Sequence, residues 1–400
     1  MKKQSELTIN VETIVDEITS AIKGTAKLTL HNTAYDTGLL GYSLYYAYLA
    51  KYKNEDKHIA TSEEYFEKAI AALDINNFHR TYDTDSIDTH LSQIGRFVCF
   101  TRKHNLLNID AEDYLLKLDD ILFDLVKSKI SIKDFDYGSG AMASGFYFLD
   151  RLKEGVPVED RIKYIVHSLE NFAEKDSDGD YFWQSPSLYD RVYLGISHGS
   201  CLMISFLCTA YECNVEKEAC KRIIEKAVNF VIKQFRGKSK YKGLFPNKIG
   251  DEVDDMQFAL CYGDIGNGYA LYRASKVLES ERIKTFTELV LSDCLLRNKK
   301  DNLTLDPGIY YGASGLVIAF SQVAKVSDDV RFKDRAKYWY DEIPNYKIHN
   351  NDFAGFQSRL DEDSKLWNIS FGWGIIGVGI TLMAYSDNEL PSFAELTFVA

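Results

Sequence analysis

Two kinds of helical pattern alternate along this chain. In the first, apolar residues recur at i, i+3 or i+4, and i+7 with polar residues between them, as in a helix with one buried face. Residues 111–129 carry it in Tyr114, Leu115, Leu118, Ile121, Leu122 and Leu125, and residues 159–174 in Ile162, Ile165, Val166 and Leu169. Residues 216–235 carry it in Ile223, Ile224, Ala227, Phe230 and Val231, and segments 280–297 and 329–343 read the same way. The second kind is apolar or small nearly all round and follows a glycine turn. Its turns are Thr37-Gly38-Leu39-Leu40-Gly41, a weaker Leu91-Ser92-Gln93-Ile94-Gly95, a turn around Gly140 and Gly145, and Gly195-Ile196-Ser197-His198-Gly199. Gly263-Asp264-Ile265-Gly266, Gly312-Ala313-Ser314-Gly315 and Gly374-Ile375-Ile376-Gly377 complete the series.

The turns recur at roughly 50–65 residues, the length of a helical hairpin with its loops. An amphipathic helix belongs at a surface and an all-apolar helix belongs inside. The alternation therefore predicts an all-α fold: a double-layered (α/α) toroid of about seven hairpin repeats, with glycine turns gathered at one end. Glycine there permits close backbone approach. An open solenoid is the alternative. No linker rich in Pro, Gly or Ser divides the chain, so residues 1–400 are expected to form one domain.

Composition narrows the function. The chain has 26 Tyr and 23 Phe for a large core and only 6 Pro to interrupt helices. A formal net charge of -12 argues against nucleic acid, which is bound through Lys and Arg on phosphates. The start, Met1 to Glu6, lacks an apolar signal core, and no apolar run approaches the ~20 residues that span a bilayer. The seven cysteines are scattered without paired spacing, as expected of reduced thiols in a cytoplasmic protein.

Three turns in order resemble the motifs of the lanthionine synthetase C-like family, and the seven turns follow the family's order over nearly the whole chain. The family motifs are a Gly-x-x-His-Gly turn, a later Trp-Cys-Tyr-Gly-x-x-Gly and then Cys-His-Gly-x-x-Gly. Here they read Gly195 to Gly199, Leu260-Cys261-Tyr262-Gly263-Asp264-Ile265-Gly266, and Tyr310-Tyr311-Gly312-Ala313-Ser314-Gly315. The resemblance implies a cyclase that adds a cysteine thiol of a precursor peptide to a dehydroalanine or dehydrobutyrine made earlier by a dehydratase. In the family, zinc held by Cys, Cys and His binds the attacking thiol. Coordination deprotonates a thiol whose free pKa is near ~8.5, and three protein ligands leave the fourth position for substrate.

This chain departs from that pattern. The first zinc cysteine matches Cys261, but the second cysteine and the histidine fall on Tyr310 and Tyr311. Leu260 stands for the family tryptophan and Gln257 for an upstream arginine. No metal is expected; a rebuilt site would use Cys261, His198 and Cys201, which lies one helical turn from His198. The resemblance carries the family's active-site histidine onto His198 and its third-repeat aspartate onto Asp136.

Each residue also has a plain structural reading. His198 is a general base or a turn-capping residue. Asp136 orients His198, moves a proton or caps a helix. Cys261 is a pocket residue or a small core residue. One of Tyr310 and Tyr311 fills the vacated space, while the other offers a hydroxyl to the enolate that conjugate addition creates. Tyr262, Gly263, Asp264 and Gly312 are expected to contact substrate beside Cys261. The acidic stretch Asp176 to Asp180 fails the calcium-loop pattern and reads as a solvated turn.

The leading expectation is a zinc-free thioether cyclase acting on a dehydrated precursor peptide, with a cognate dehydratase as a further partner. The alternatives are a non-catalytic subunit that binds or scaffolds the peptide, and a glycosidase built on Asp136 and Asp264.

Overall fold

The computed structural model describes all residues except 1–9, 26–31, 74–77, 79, 83, 238–242, 251–256, 363 and 400. The initial segment Met1 to Glu6 lies outside the described residues. Among the described residues, seven helices form the inner layer: α2 (Leu39–Lys53), α4 (Ile87–Lys103), α6 (Met142–Lys153), α8 (Ser200–Glu212), α10 (Asp264–Val277), α12 (Ala313–Ser327) and α15 (Ile375–Ser386). Each packs on the next, and α15 packs back on α2, so they close an inner barrel. Seven others form the outer layer: α1 (Val11–Thr25), α3 (Lys57–Ala71), α5 (Glu112–Ser131), α7 (Glu159–Phe172), α9 (Lys217–Lys233), α11 (Glu281–Cys294) and α13 (Val330–Glu342). A four-residue turn of helix, α14 (Leu366–Ile369), precedes α15.

Burial follows the two patterns. Helix α9 buries Ala219, Cys220, Ile223, Ile224, Ala227, Val228, Phe230 and Val231, one stripe at helical spacing, and leaves its lysines and glutamates outward. Helix α15 buries every residue from Ile375 to Met383. Each fully buried Ile, Leu or Val contributes about 1.5–3 kcal/mol, and this burial is what holds the two layers together. Among the described residues no outer helix follows the last inner helix. Helix α1 packs against α15 and takes that place, so the first helix completes the outer ring.

The glycine turns share one contact. At Gly199 a Cβ would fall 2.2 Å from the carbonyl oxygen of Tyr193, six residues earlier, and the same relation recurs between Gly38 and Asn32, Gly312 and Asp306, and Gly374 and Asn368. The chain folds back on itself so tightly before each of these inner helices that a side chain cannot be accommodated. The second repeat corrects the sequence reading. Helix α4 opens at Ser86, whose hydroxyl accepts from the Thr89 N–H, and Gly95 lies in mid-helix, giving room to the Tyr147 ring. In the third repeat the turn glycine is Gly140, and Gly145 lies within α6 against Phe206.

The C-terminal segment runs into the inner barrel. Tyr35 Oη donates to the Leu396 carbonyl at 2.7 Å, Tyr269 Oη donates to that of Val399 at 3.3 Å, and the buried Arg96 donates to that of Glu395. Phe398 packs on Tyr137, with ring centroids 4.8 Å apart. On the outside, a small hairpin pairs β1 (Glu174–Lys175) with β2 (Tyr181–Phe182). The acidic turn between them is not merely solvated: Asp176, Asp178 and Asp180 converge on the Lys233 ammonium at 2.8, 2.6 and 2.7 Å.

Candidate active site

The site is set by the residue two positions before the glycine, or before Ser86, that opens each inner helix. Six of these seven residues, Asp36, Thr84, Gly138, Ser197, Cys261 and Tyr310, line one cavity of about 560 Å³ at the mouth of the barrel. His198, Tyr262, Tyr311 and Trp373, each one residue closer to its helix, line it too. Main-chain bonds tie part of this ring. The N–H of Cys261 donates to Tyr310 O at 3.1 Å, that of Tyr310 to Gly372 O at 2.8 Å, and that of Gly372 to Asp36 O at 2.9 Å. The last bond joins the seventh repeat to the first.

His198 is held by Asp136. One oxygen of the Asp136 carboxylate accepts the N–H groups of Gly138 at 2.7 Å and Ser139 at 3.2 Å; the other lies 2.6 Å from His198 Nδ1. With a carboxylate on Nδ1, that nitrogen carries the proton in the neutral ring, and the tautomer leaves the lone pair on Nε2. Asp136 is buried, whereas the imidazole keeps 18% of its surface open. Tyr193 and Tyr262 flank the ring at 5.9 and 6.1 Å between centroids. Together these contacts fix both the tautomer and the plane of the imidazole ring.

The remaining wall is aromatic. Tyr262 stacks on Tyr311 with centroids 5.6 Å apart, and the Arg359 guanidinium stands 5.8 Å from the Tyr311 ring. Tyr310 fills space: it meets Trp373 edge-on at 4.7 Å and Phe398 at 5.3 Å, and only 4% of it is exposed. Tyr311 is half-buried and so is the more open of the two phenols. Burial pushes the Cys261 thiol and the phenols of Tyr262, Tyr310 and Tyr311 above their usual ranges, with a hydrogen bond from Ser197 partly opposing this at Cys261.

Across the chain, a family model described as lanthionine synthetase C-like protein matches residues 29–397. This chain belongs to the lanthionine synthetase C-like family. Among solved structures, nisin cyclase is similar at 18% identity and a TM-score of 0.75, covering 98% of both chains, and it shares the fold. A cellobiose 2-epimerase from Bacillus thermoamylovorans (12% identity, TM-score 0.43, covering 94% of this chain and 100% of that one) is more distant. So is a sugar epimerase from a ruminal bacterium (12% identity, TM-score 0.41, 94% and 99%). No curated protein matches.

The lanthionine synthetase C-like zinc set does not fit the residues present. Its three positions hold one thiol, Cys261, and two phenols that burial keeps protonated. Of the phenols, Tyr310 is packed between Trp373 and Phe398. Cys201, proposed for a rebuilt site, is fully buried on α8 and is not on the cavity wall. Among the described residues, no three His, Cys, Asp or Glu side chains gather to hold a metal.

Three expected substrate contacts are instead scaffold. Gly263 and Gly312 shape the turns behind the wall, Gly263 at a φ of 129°. The Asp264 carboxylate faces inward, accepting the N–H groups of Leu244 at 2.9 Å and Phe245 at 3.0 Å and pairing with Arg297 at 2.5 Å. It therefore forms no carboxylate pair with Asp136 across a cleft, and the glycosidase alternative loses its residues. Sequence reasoning missed Asp36, Thr84, Tyr82, Trp373 and Phe398. The first, second and fourth occupy the one or two positions before a helix-opening residue, a signal that was available. Phe398 arrives from the C-terminal segment and gave none.

Proposed function

We propose that this chain closes thioether rings in a dehydrated precursor peptide by a route that does not use the family's Cys-Cys-His zinc set. The observation that carries the reading is the oriented His198–Asp136 pair, opening into the same cavity as Cys261, Tyr262 and Tyr311. A free peptide thiol with pKa near ~8.5 is mostly protonated at pH 7, so a metal-free route needs a base at the sulfur. His198 Nε2 takes the S–H proton as sulfur attacks the β-carbon of the dehydro residue. Negative charge then gathers on the adjacent carbonyl oxygen, and the Tyr311 hydroxyl is the wall group assigned to donate to it. The cavity holds the two reacting groups together, which by itself accelerates a reaction that proceeds slowly in water.

A dehydratase supplies the substrate in this scheme. The reaction belongs in a reducing cytosol, in keeping with cysteines scattered along the sequence without paired spacing. Among the described residues no helix is long and apolar enough to cross a membrane.

Ring closure conserves mass, so the assay counts thiols: a dehydrated, cysteine-containing peptide is incubated with the protein, capped with N-ethylmaleimide and weighed. Enzyme should deplete capped thiol, and His198→Ala should slow this about 10²–10⁴-fold. Tight peptide binding with no acceleration over buffer would replace the cyclase by the second reading, a subunit that holds the peptide.

A further inference from the structure

Conjugate addition needs a second proton transfer, and one cavity residue is built for it. Asp36 lines the cavity from the first repeat. Along the ring of pre-helix positions it stands three steps from Cys261, through Tyr310 and Gly372, and three steps from Ser197, through Thr84 and Gly138. In a ring of seven no position is farther away, so Asp36 faces the cavity from the wall opposite His198 and Cys261.

Its bonding also sets it apart from the acids around it. Asp85 accepts the Thr81 N–H and pairs with His90; Asp134 accepts the Asp136 N–H; Asp306 accepts the N–H groups of Gly308 and Arg359. Each of these carboxylates is pinned by main chain and holds a turn together. The Asp36 carboxyl receives two long hydroxyl contacts, Thr37 Oγ1 at 3.1 Å and Tyr82 Oη at 3.4 Å, with the Gln93 amide close by. No cation pairs with it among the described residues. Its main chain, in contrast, is fixed: the N–H donates to Gln93 Oε1 and the carbonyl accepts from Gly372. A buried carboxyl on a rigid backbone, without the main-chain N–H donors that hold the neighbouring carboxylates as anions, is placed to act as an acid.

We infer that Asp36 delivers the proton to the α-carbon of the enolate, so that one wall of the cavity removes a proton from sulfur while the opposite wall adds one to carbon. This rests on the cyclase reading above. The balance is closed. The S–H bond breaks and its proton goes to His198 Nε2; the sulfur lone pair forms the S–Cβ bond; the π pair of the dehydro residue moves toward the carbonyl. The Asp36 O–H bond then breaks and a Cα–H bond forms. The proton released by His198 to solvent restores Asp36, and no electrons are gained or lost. Burial and the neighbouring Asp85 raise the Asp36 carboxyl from its ordinary value, against opposing contributions from Gln93, His90 and Thr37, so it holds a proton more readily than an exposed aspartate does.

A proton delivered from one fixed wall also sets the configuration at the new stereocentre, and that is a readout a merely structural aspartate would not move. The experiment compares the wild type, Asp36→Asn and Asp36→Glu on one dehydrated peptide, measuring thiol consumption and the configuration of the hydrolysed lanthionine by chiral chromatography. Asp36→Asn should close rings at least about tenfold more slowly and give a mixture at the α-carbon. Asp36→Glu, whose carboxyl is displaced by ~1.5 Å, should be slowed but keep the wild-type configuration. Wild-type rate and configuration in a folded Asp36→Asn, or wild-type rate in Asp36→Glu if the Asn variant does not fold, overturns the assignment. Absence of rings with the wild type overturns the cyclase reading instead, so the two failures are told apart.

Discussion

Replacing Asp136 by asparagine changes one atom, and the local geometry dictates the consequence for His198. One carboxylate oxygen accepts two main-chain N–H groups, from Gly138 and Ser139, while the other sits 2.6 Å from His198 Nδ1. In Asp136→Asn the carbonyl oxygen must stay with the two N–H groups. Turning the amide over would set its NH2 against both donors, leaving them unsatisfied at about 1–3 kcal/mol each. The NH2 therefore faces Nδ1 and donates to it, and His198 answers by moving its own proton to Nε2. The base is then present, in place and blocked. Loss of a correctly protonated histidine costs about 10²–10⁴ in rate, or about 3–5 kcal/mol of barrier. Asp136→Ala behaves differently. It removes the acceptor from both N–H groups, so its melting temperature should fall further than that of the Asn variant, but Nδ1 is freed and either tautomer can form. Per folded molecule the alanine variant should be the faster of the two. The assay is thiol capping on a dehydrated peptide, beside a thermal melt. An Asn variant within threefold of wild type, or one faster than the alanine variant, would refute the role of Asp136 as the group that sets the tautomer.

Two further outcomes are expected. Elemental mass spectrometry of the purified protein should find no stoichiometric zinc in wild type or Cys261→Ala; about one zinc per chain that disappears in the variant would mean a site rebuilt around Cys261. Asp306, buried and raised to about 6, binds a proton more readily folded than unfolded. Between its ordinary unfolded pKa of about 4 and about 6, stability attributable to it therefore falls as pH rises, by up to about 3 kcal/mol. Urea titrations across that window should show a shallower fall for Asp306→Asn, and parallel profiles would count against it.

How much of this was legible in the sequence depends on the kind of contact. Helices α5, α7, α9, α11 and α13 fall within a few residues of the amphipathic segments read from sequence, because a buried stripe writes itself at helical spacing. The inner helices were found through glycines that a six-residue backbone contact demands. Where that contact is absent, the rule failed: the second repeat opens on a serine cap, and Gly95 owes its presence to the Tyr147 ring instead. Asp264 was misjudged for a related reason. It begins an inner helix at the right turn, but its partners, Leu244, Phe245 and Arg297, lie 19 to 33 residues away, and no local pattern announces them. The C-terminal segment was invisible for the same reason, since its donors sit on helices and turns far from it in sequence.

The ring of pre-helix positions explains how the family's metal ligands can be replaced while the fold persists. The positions that line the cavity are held by main chain: Cys261 N–H to Tyr310 O, Tyr310 N–H to Gly372 O, Gly372 N–H to Asp36 O. None of these bonds uses a side chain, so the scaffold does not require a thiol or an imidazole at the sixth repeat. Filling is the remaining constraint, and Tyr310 meets it against Gly372, where an added Cβ would come within 2.6 Å of its ring. Tyr310 and Gly372 are thus one steric unit. Restoring a cysteine at 310 alone would leave a void beside Gly372, whereas the smaller ligands would suit a larger residue at 372. The character of the cavity wall is set repeat by repeat, by the one or two residues ahead of each inner helix, and His198 belongs to a different repeat from Tyr310 and Tyr311. That separation lets the oriented histidine remain intact when the metal positions change.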